Sequence, residues 1–264
     1  VFLTGSAGSG KTFVLNQYID YLKARGVSVA VTATTGVAAT HMQGMTIHSW
    51  SGLGIRDHLT DRDIDEMEEK KYLWDRFDKT KVLIIDEISM MHGYRLDMID
   101  RVCKAFKRNE SPFGGIQVVV CGDFFQLPPV TREISEDNAT HSPYTSSSWK
   151  DAHFAVCYLT EQHRQNDMEF LDVLNGIRTG KIDERVLAPL RTRYKKQIDN
   201  SLEPTKLYTH NVDVDHINEE ALRKIESEEK VFEMTFSGRE GLVESLKKSV
   251  LAHSRLRLKV GAQV

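Results

Sequence analysis

Apolar positions along the chain fall into two kinds of run. Short, nearly unbroken apolar stretches at residues 1–3, 27–31, 82–85, 116–121 and 155–159 read as buried strands. Between them the apolar positions recur every three or four residues. Phe13, Val14, Leu15, Tyr18, Ile19 and Leu22 form one such set, and Leu96, Ile99, Val102, Cys103 and Phe106 another. Phe170, Leu171, Val173, Leu174 and Ile177 form a third, residues 182–194 a further helix, and Val214, Ile217, Ala221, Leu222 and Ile225 the last. That spacing predicts helices with one buried face. Glycines close two of them, at Gly26 and Gly180. Strands alternating with helices predict a parallel sheet with right-handed crossovers.

Three stretches break the alternation. Residues 57–79 are charged and mixed in sign, with Trp74 and Phe77 as apolar anchors, and read as a solvated helical excursion. Residues 131–148 are polar and irregular, the pattern of a surface loop. From about residue 165 a second α/β unit begins, with a strand-to-helix step at Leu207-Tyr208-Thr209-His210-Asn211. The expected division is 1–165 and 166–264, the second unit incomplete. Residues 256–264 look like the start of another strand, so the chain reads as a fragment cut at both ends.

Composition changes this picture little. Of 264 residues, 40% are hydrophobic and 28% charged, ordinary for a soluble protein. No apolar run is long enough to span a membrane, and no export signal is visible. The expected compartment is therefore intracellular: cytoplasm or nucleoid in a bacterium, nucleus or mitochondrion in a eukaryote. A net charge of -3 does not mark a nucleic-acid binder, but a groove needs only a local basic surface. Cys103, Cys121 and Cys157 sit in apolar segments without metal-like spacing and read as reduced core residues.

Chemistry concentrates at the ends of the strands. Gly5-Ser6-Ala7-Gly8-Ser9-Gly10-Lys11-Thr12 fits the phosphate-loop pattern at every fixed position, between a strand and a helix. Gly5, Gly8 and Gly10 let the backbone wrap a polyphosphate, with Ser9 in the same loop, and the helix after it adds its positive end. Lys11 would neutralise the outer phosphates of ATP, and the Thr12 hydroxyl would ligate Mg²⁺. The strand at 82–85 ends in Asp86 and Glu87. After a complete phosphate loop, such a pair suits metal binding by the first carboxylate and proton removal from water by the second. The strand at 116–121 delivers Gly122-Asp123-Phe124-Phe125-Gln126-Leu127-Pro128-Pro129-Val130, whose Gln126 can orient water or sense the terminal phosphate.

Two hydroxyl-rich runs, 32–39 and 46–50, are open to two readings. Thr35, Gly36, Thr46 and His48 can contact a phosphate backbone, or the runs can serve as helix N-caps with small residues for close packing. Thr160-Glu161-Gln162-His163-Arg164-Gln165 is a further polar cluster at a strand end. The basic run 191–196 is either a phosphate-contacting face or a solvated helix end.

Taken in order, these motifs resemble the Pif-type DNA helicases of superfamily one. The glycine-aspartate-phenylalanine run at 122–130 and the segment from Ile85-Asp86-Glu87-Ile88-Ser89-Met90 to about Arg108 are the most specific parts. Thr34–Ala39, Thr46–Ser49, Pro112–Gln117, Leu159–Gln165 and Thr209–Asp213 complete the set. The resemblance implies two RecA-like domains, the first a phosphate-loop NTPase with a parallel sheet and the second present only in part, with ATP between them. It implies an ATP-driven 5′→3′ motor on single-stranded DNA that unwinds forked duplexes in repair, recombination or telomere maintenance, acting as a monomer. By motif match Glu87 activates water, Gln126 senses the γ-phosphate, and Arg164 stabilises transition-state charge. Later family motifs would lie beyond residue 264, so this stretch alone is expected to bind nucleotide poorly and unwind little. A RecD-like helicase subunit and a phosphate-loop switch or loader are the competing readings. A silent DNA-binding module would have no need of Lys11, Thr12, Asp86, Glu87, Gln126 and Arg164 together.

Overall fold

The computed structural model describes residues 1–130, 141–196, 205–208, 211–238, 243, 247, 250 and 252–263. Strand β1 (Phe2–Gly5) leads through the glycine loop into α1 (Lys11–Ala24), then β2 (Val29–Ala33), α2 (Gly36–His41), β3 (Met45–Thr46) and α3 (Ile47–Ser51). Helices α4 (Asp61–Glu68) and α5 (Lys71–Lys79) precede β4 (Val82–Asp86), α6 (Gly93–Lys107) and β5 (Gln117–Cys121). Then come α7 (Ser147–Asp151), β6 (Val156–Leu159), α8 (Met168–Thr179) and α9 (Glu184–Arg193). Strands β1 to β6 form one parallel sheet in the order β3-β2-β4-β5-β1-β6, as the alternation predicts.

Period-two geometry sorts the sheet residues onto two faces. Leu83 and Ile85 join Phe2, Val118 and Val120 in one core, and Val82 and Ile84 join Leu3, Val119 and Cys121 in the other. Every residue of β4 is buried because helices cover both faces. On the second face α1 contributes the stripe Leu15, Ile19 and Leu22. Phe13 (69% exposed) and Val14 (40%) lie off that stripe, so the buried face of this helix is narrower than its sequence suggests.

The charged excursion is half core. Met67, Leu73 and Phe77 are fully buried. Phe77 stacks on Phe106 with ring centroids 4.6 Å apart, Trp50 lies 4.7 Å from Phe77, and Trp74 lies 4.9 Å from Phe106. Its charges occupy the opposite faces of α4 and α5, so mixed sign along the chain concealed two amphipathic helices. A capping box between Thr60 and Asp63 starts α4.

Two other expectations are corrected. Within the stretch read as a surface loop, residues 131–140 lie outside the described residues, but Ser142, Pro143, Ser146 and Ser148 are buried. The Ser146 hydroxyl is satisfied locally: its Oγ donates to the Pro143 carbonyl at 2.7 Å and accepts from Trp149 N–H at 3.2 Å. Cys157 is exposed rather than core, because β6 is an edge strand.

The chain divides into two compact units, Val1–Tyr194 and Lys195–Val264. Helices α8 and α9 lie in the first. A buried ion pair, between Arg178 and Asp123, joins α8 to the end of β5. The second unit holds α10 (Asn211–Lys224) and the antiparallel strands β7 (Glu229–Glu233) and β8 (Arg255–Lys259). Of the expected strand at 207–211, residues 209 and 210 lie outside the described residues, and Leu207 is 94% exposed. On α10, Val214, Ile217 and Leu222 are half-buried and Ala221 is exposed. No helix among the described residues is long and apolar enough to cross a membrane.

Candidate nucleotide site

Register brings the motifs to one edge. Ala33 pairs with both Thr46 and Asp86, Ile85 with Val120, Leu3 with Cys121, and Gly5 with Leu159. Because all six strands are parallel, the segments that begin at Ser6, Thr34, Glu87, Gly122 and Thr160 leave the sheet on the same side. That carboxyl edge is where open α/β sheets bind ligands.

The loop after β1 is shaped for an anion. Gly8 has φ 86°, and a Cβ there would come within 2.8 Å of both Arg164 Cβ and Gln162 Oε1. Gly10, with φ 82°, is the N-cap of α1 and provides no side-chain cap. The first N–H groups of that helix are thus left for a ligand. The Lys11 ammonium lies inside the loop, donating to the carbonyls of Gly5 (2.9 Å) and Ser6 (3.0 Å). Ser9 is buried, and its Oγ has no partner. A cation, free amide donors and an orphaned buried hydroxyl together fit a polyphosphate.

The run after β6 packs against this loop. His163 N–H donates to the Gly8 carbonyl at 3.0 Å, and Gln162 Nε2 donates to Ser6 Oγ. Arg164 is exposed, with its Cβ beside Gly8.

At the end of β4, Asp86 is buried and its Oδ1 accepts Glu87 N–H at 2.9 Å. The neighbouring Cys121 thiol donates to Asp86, and burial followed by that carboxylate pushes the thiol pKa well up. Glu87 adopts the left-handed conformation, φ 54° and ψ 42°, which a non-glycine residue pays for in strain. Burial raises its pKa first. The Asp86 charge adds to this, Lys11 opposes it, and Asp123 raises it further. Thr34 fixes the backbone here, its N–H bonding the Asp86 carbonyl (3.1 Å) and its hydroxyl the Glu87 carbonyl (2.9 Å).

A cavity of ≈ 560 Å³ is lined by Thr12, Thr35, Asp86, Glu87, Ser89 and Gln126, among others. Residues far apart in sequence thus meet in one place. The donors are hard oxygens, and Ser89 Oγ is a second buried hydroxyl without a partner. This set suits Mg²⁺, with Thr12 and Asp86 as the residues that would hold it.

In each hydroxyl-rich run one threonine caps a helix. Thr35 Oγ1 accepts Ala38 N–H (3.2 Å) at the start of α2, and Thr46 Oγ1 accepts Ser49 N–H (3.3 Å) at the start of α3. Gly36 is exposed, with open space where a Cβ would sit. His48 is half-buried with Nε2 unpartnered. Burial lowers its pKa, and Arg95 and His92 lower it further, so it is neutral at physiological pH.

One pair escaped the sequence reading. Asp123, 1% exposed at its side chain, receives the Arg178 guanidinium from α8 in a two-pronged ion pair. Nη1 lies 2.7 Å from Oδ2, and Nη2 lies 2.9 Å from Oδ1. Asp123 also accepts Phe125 N–H (3.1 Å) and Gln126 Nε2 (3.3 Å). Burial alone would raise the Asp123 pKa, but Arg178 and these donors outweigh it and hold the carboxyl below its usual range. Nothing local in the sequence marks Arg178, which reads as an ordinary basic last turn before Gly180.

Residues 1–187 match the profile of the PIF1-like helicases. The chain belongs to the PIF1-like helicase family. The ATP-dependent DNA helicase Pif1 of Psychrobacter is 51% identical over 272 residues, covering 100% of this chain and 41% of that protein. The crystal structure of Pif1 helicase from Candida albicans is 34% identical with a TM-score of 0.82, covering 98% of this chain and 59% of the other. Pif1 helicase from Bacteroides in complex with ADP-AlF3 and single-stranded DNA is 30% identical with a TM-score of 0.71, with the same coverages. The chain thus spans less than half of the Psychrobacter relative. The RecA-like α/β fold implied by the PIF1-type motifs is the fold of its sheet.

Proposed function

We propose that the chain is the ATP-hydrolysing part of a DNA helicase that moves 5′→3′ on single-stranded DNA and opens forked duplexes. The observation that carries this reading is the single cavity shared by Thr12, Asp86, Glu87 and Gln126 beside the phosphate loop. The nucleotide lies along residues 5–12, with its phosphates on the loop N–H groups and Lys11. Thr12 and Asp86 would hold Mg²⁺, which would supply charge neutralisation at the phosphates. Glu87 accepts the proton of the attacking water. Its raised pKa makes it a better base than an ordinary carboxylate. Gln126 reads the terminal phosphate from the turn after β5. Arg164, in the run packed on Gly8, supplies positive charge as the phosphoryl group transfers. By its motifs we assign residues 1–165 to the first RecA-like domain and 166–264 to the start of the second, with α8 and α9 packed in the first compact unit.

Thr35, Gly36, Thr46 and His48 belong to the DNA-facing part of this reading. Since His48 is neutral, the contribution of these residues comes from hydroxyls and main-chain N–H groups rather than charge. The test is ATP hydrolysis by the full-length protein carrying this chain, with and without single-stranded DNA, with Glu87→Gln as control. Stimulation by DNA that vanishes in the variant is expected. Hydrolysis indifferent to DNA would leave an ATPase switch and remove the DNA roles.

A further inference from the structure

Arg178 is the least expected contributor to the site, since it lies on a helix outside the sheet. Its guanidinium meets both oxygens of Asp123 in parallel, the arrangement that gives an arginine–carboxylate pair its direction as well as its strength. The same guanidinium lies over the Phe125 ring, 4.4 Å from its centroid, so Phe125 is held from its side chain as well as from its N–H. Gln126 is tied twice to Asp123, by its N–H to the Asp123 carbonyl at 2.9 Å and by Nε2 to the carboxylate at 3.3 Å. The turn from Asp123 to Gln126 is therefore built on one residue, whose buried carboxylate takes the Phe125 N–H and the Gln126 amide.

The charge on that carboxylate decides which way Gln126 faces. An ionised Asp123 only accepts hydrogen bonds, so it must be met by the N–H₂ end of the amide; one N–H is spent on the carboxylate and the second stays available to donate to a phosphate oxygen. Were Asp123 to lose its cation, burial would favour the protonated acid. An O–H would then confront the amide and the opposite orientation would become favourable. A γ-phosphate sensor needs one fixed orientation of its amide, and in this fold the cation that secures it comes from α8.

We infer that Arg178 is a positioning residue for ATP hydrolysis: by clamping Asp123 it fixes the turn and the amide orientation of Gln126. The inference rests on the proposed ATPase function and on Gln126 reading the terminal phosphate. It predicts a defect in turnover rather than in ADP binding, because ADP lacks the phosphate that Gln126 reads.

The test compares Arg178→Gln, Arg178→Lys, Gln126→Ala and the double variant Arg178→Gln/Gln126→Ala in the full-length protein with single-stranded DNA. Arg178→Gln lowers kcat about 10- to 100-fold, while affinity for a fluorescent ADP stays within about twofold, which also reports that the protein is folded. Arg178→Lys keeps the charge without the fork and recovers part of the loss. The double variant is no slower than Gln126→Ala alone, since the two residues act through one interaction. Parent-like kcat in Arg178→Gln overturns the inference, as does an undiminished loss added on top of Gln126→Ala. If Arg178→Gln does not bind ADP, Arg178→Lys takes its place under the same criteria. If Gln126→Ala hydrolyses ATP at the parent rate, the sensor role falls and the inference with it. A slow Gln126→Ala beside a normal Arg178→Gln sinks the inference alone.

Discussion

Adjacent strands β4 and β5 deliver carboxylates to the same sheet edge, and the fold treats them in opposite ways. Asp123 is given an arginine, a backbone N–H and an amide, and its pKa falls. Glu87 is held in a left-handed backbone beside another carboxylate, half-buried, and its pKa rises. The first arrangement stabilises the folded chain, while the second costs stability and yields a stronger base. A site can carry such a strained group when its neighbour is fully compensated.

The contrast is open to several measurements. The largest effect belongs to Glu87→Gln in the full-length protein, which lowers ATP hydrolysis by about 10² to 10⁴-fold. The same change raises stability at neutral pH. A carboxyl whose folded pKa lies above its unfolded value favours folding most below the unfolded pKa, and that advantage is lost as pH rises through the folded one. Urea denaturation at several pH values should therefore show parent and variant diverging as pH rises. A variant less stable than the parent at neutral pH would break the comparison.

Asp123→Ala comes next. It leaves the Arg178 guanidinium buried without its partner and costs about 3 kcal/mol in denaturant titrations. Asp123→Asn tests the pH side. A depressed carboxyl contributes stability above its unfolded pKa and loses it as pH falls through the folded value. The acid limb of the parent's stability profile should flatten in this variant, whereas Glu87→Gln alters the profile at higher pH.

The smallest effect separates capping from ligand contact. Thr46→Asp preserves an N-cap oxygen, so stability changes by less than about 0.5 kcal/mol. The added negative charge should weaken single-stranded DNA binding by roughly threefold at low salt and less at high salt. Unchanged binding at low salt would leave Thr46 as a cap alone.

How much of the molecule is legible in its sequence depends on the range of each interaction. The phosphate loop, Asp86-Glu87 and Gln126 each come after an apolar strand, so local pattern alone places them on the carboxyl edge. Their meeting in one cavity is a consequence of parallel topology. The Asp123–Arg178 pair joins residues 55 positions apart and leaves no mark in either local pattern. Thr35 and Thr46 were ambiguous because a hydroxyl before a helix suits a cap and a phosphate contact equally well. Phe13 and Val14 are apolar yet lie off the stripe that meets the sheet, a distinction that apolar character alone does not carry. Cys157 is exposed although its segment is apolar, because an edge strand can carry the same apolar residues as a central one.

The placing of the three thiols has a practical outcome. Cys103 and Cys121 are buried, and burial pushes both thiols toward the unreactive protonated form. Cys157 is exposed on β6, two residues before Leu159, which pairs with Gly5 at the start of the phosphate loop. Among this chain's cysteines, a maleimide dye would therefore attach at Cys157. That places an optical reporter on the strand next to the loop, with no residue of the loop itself altered.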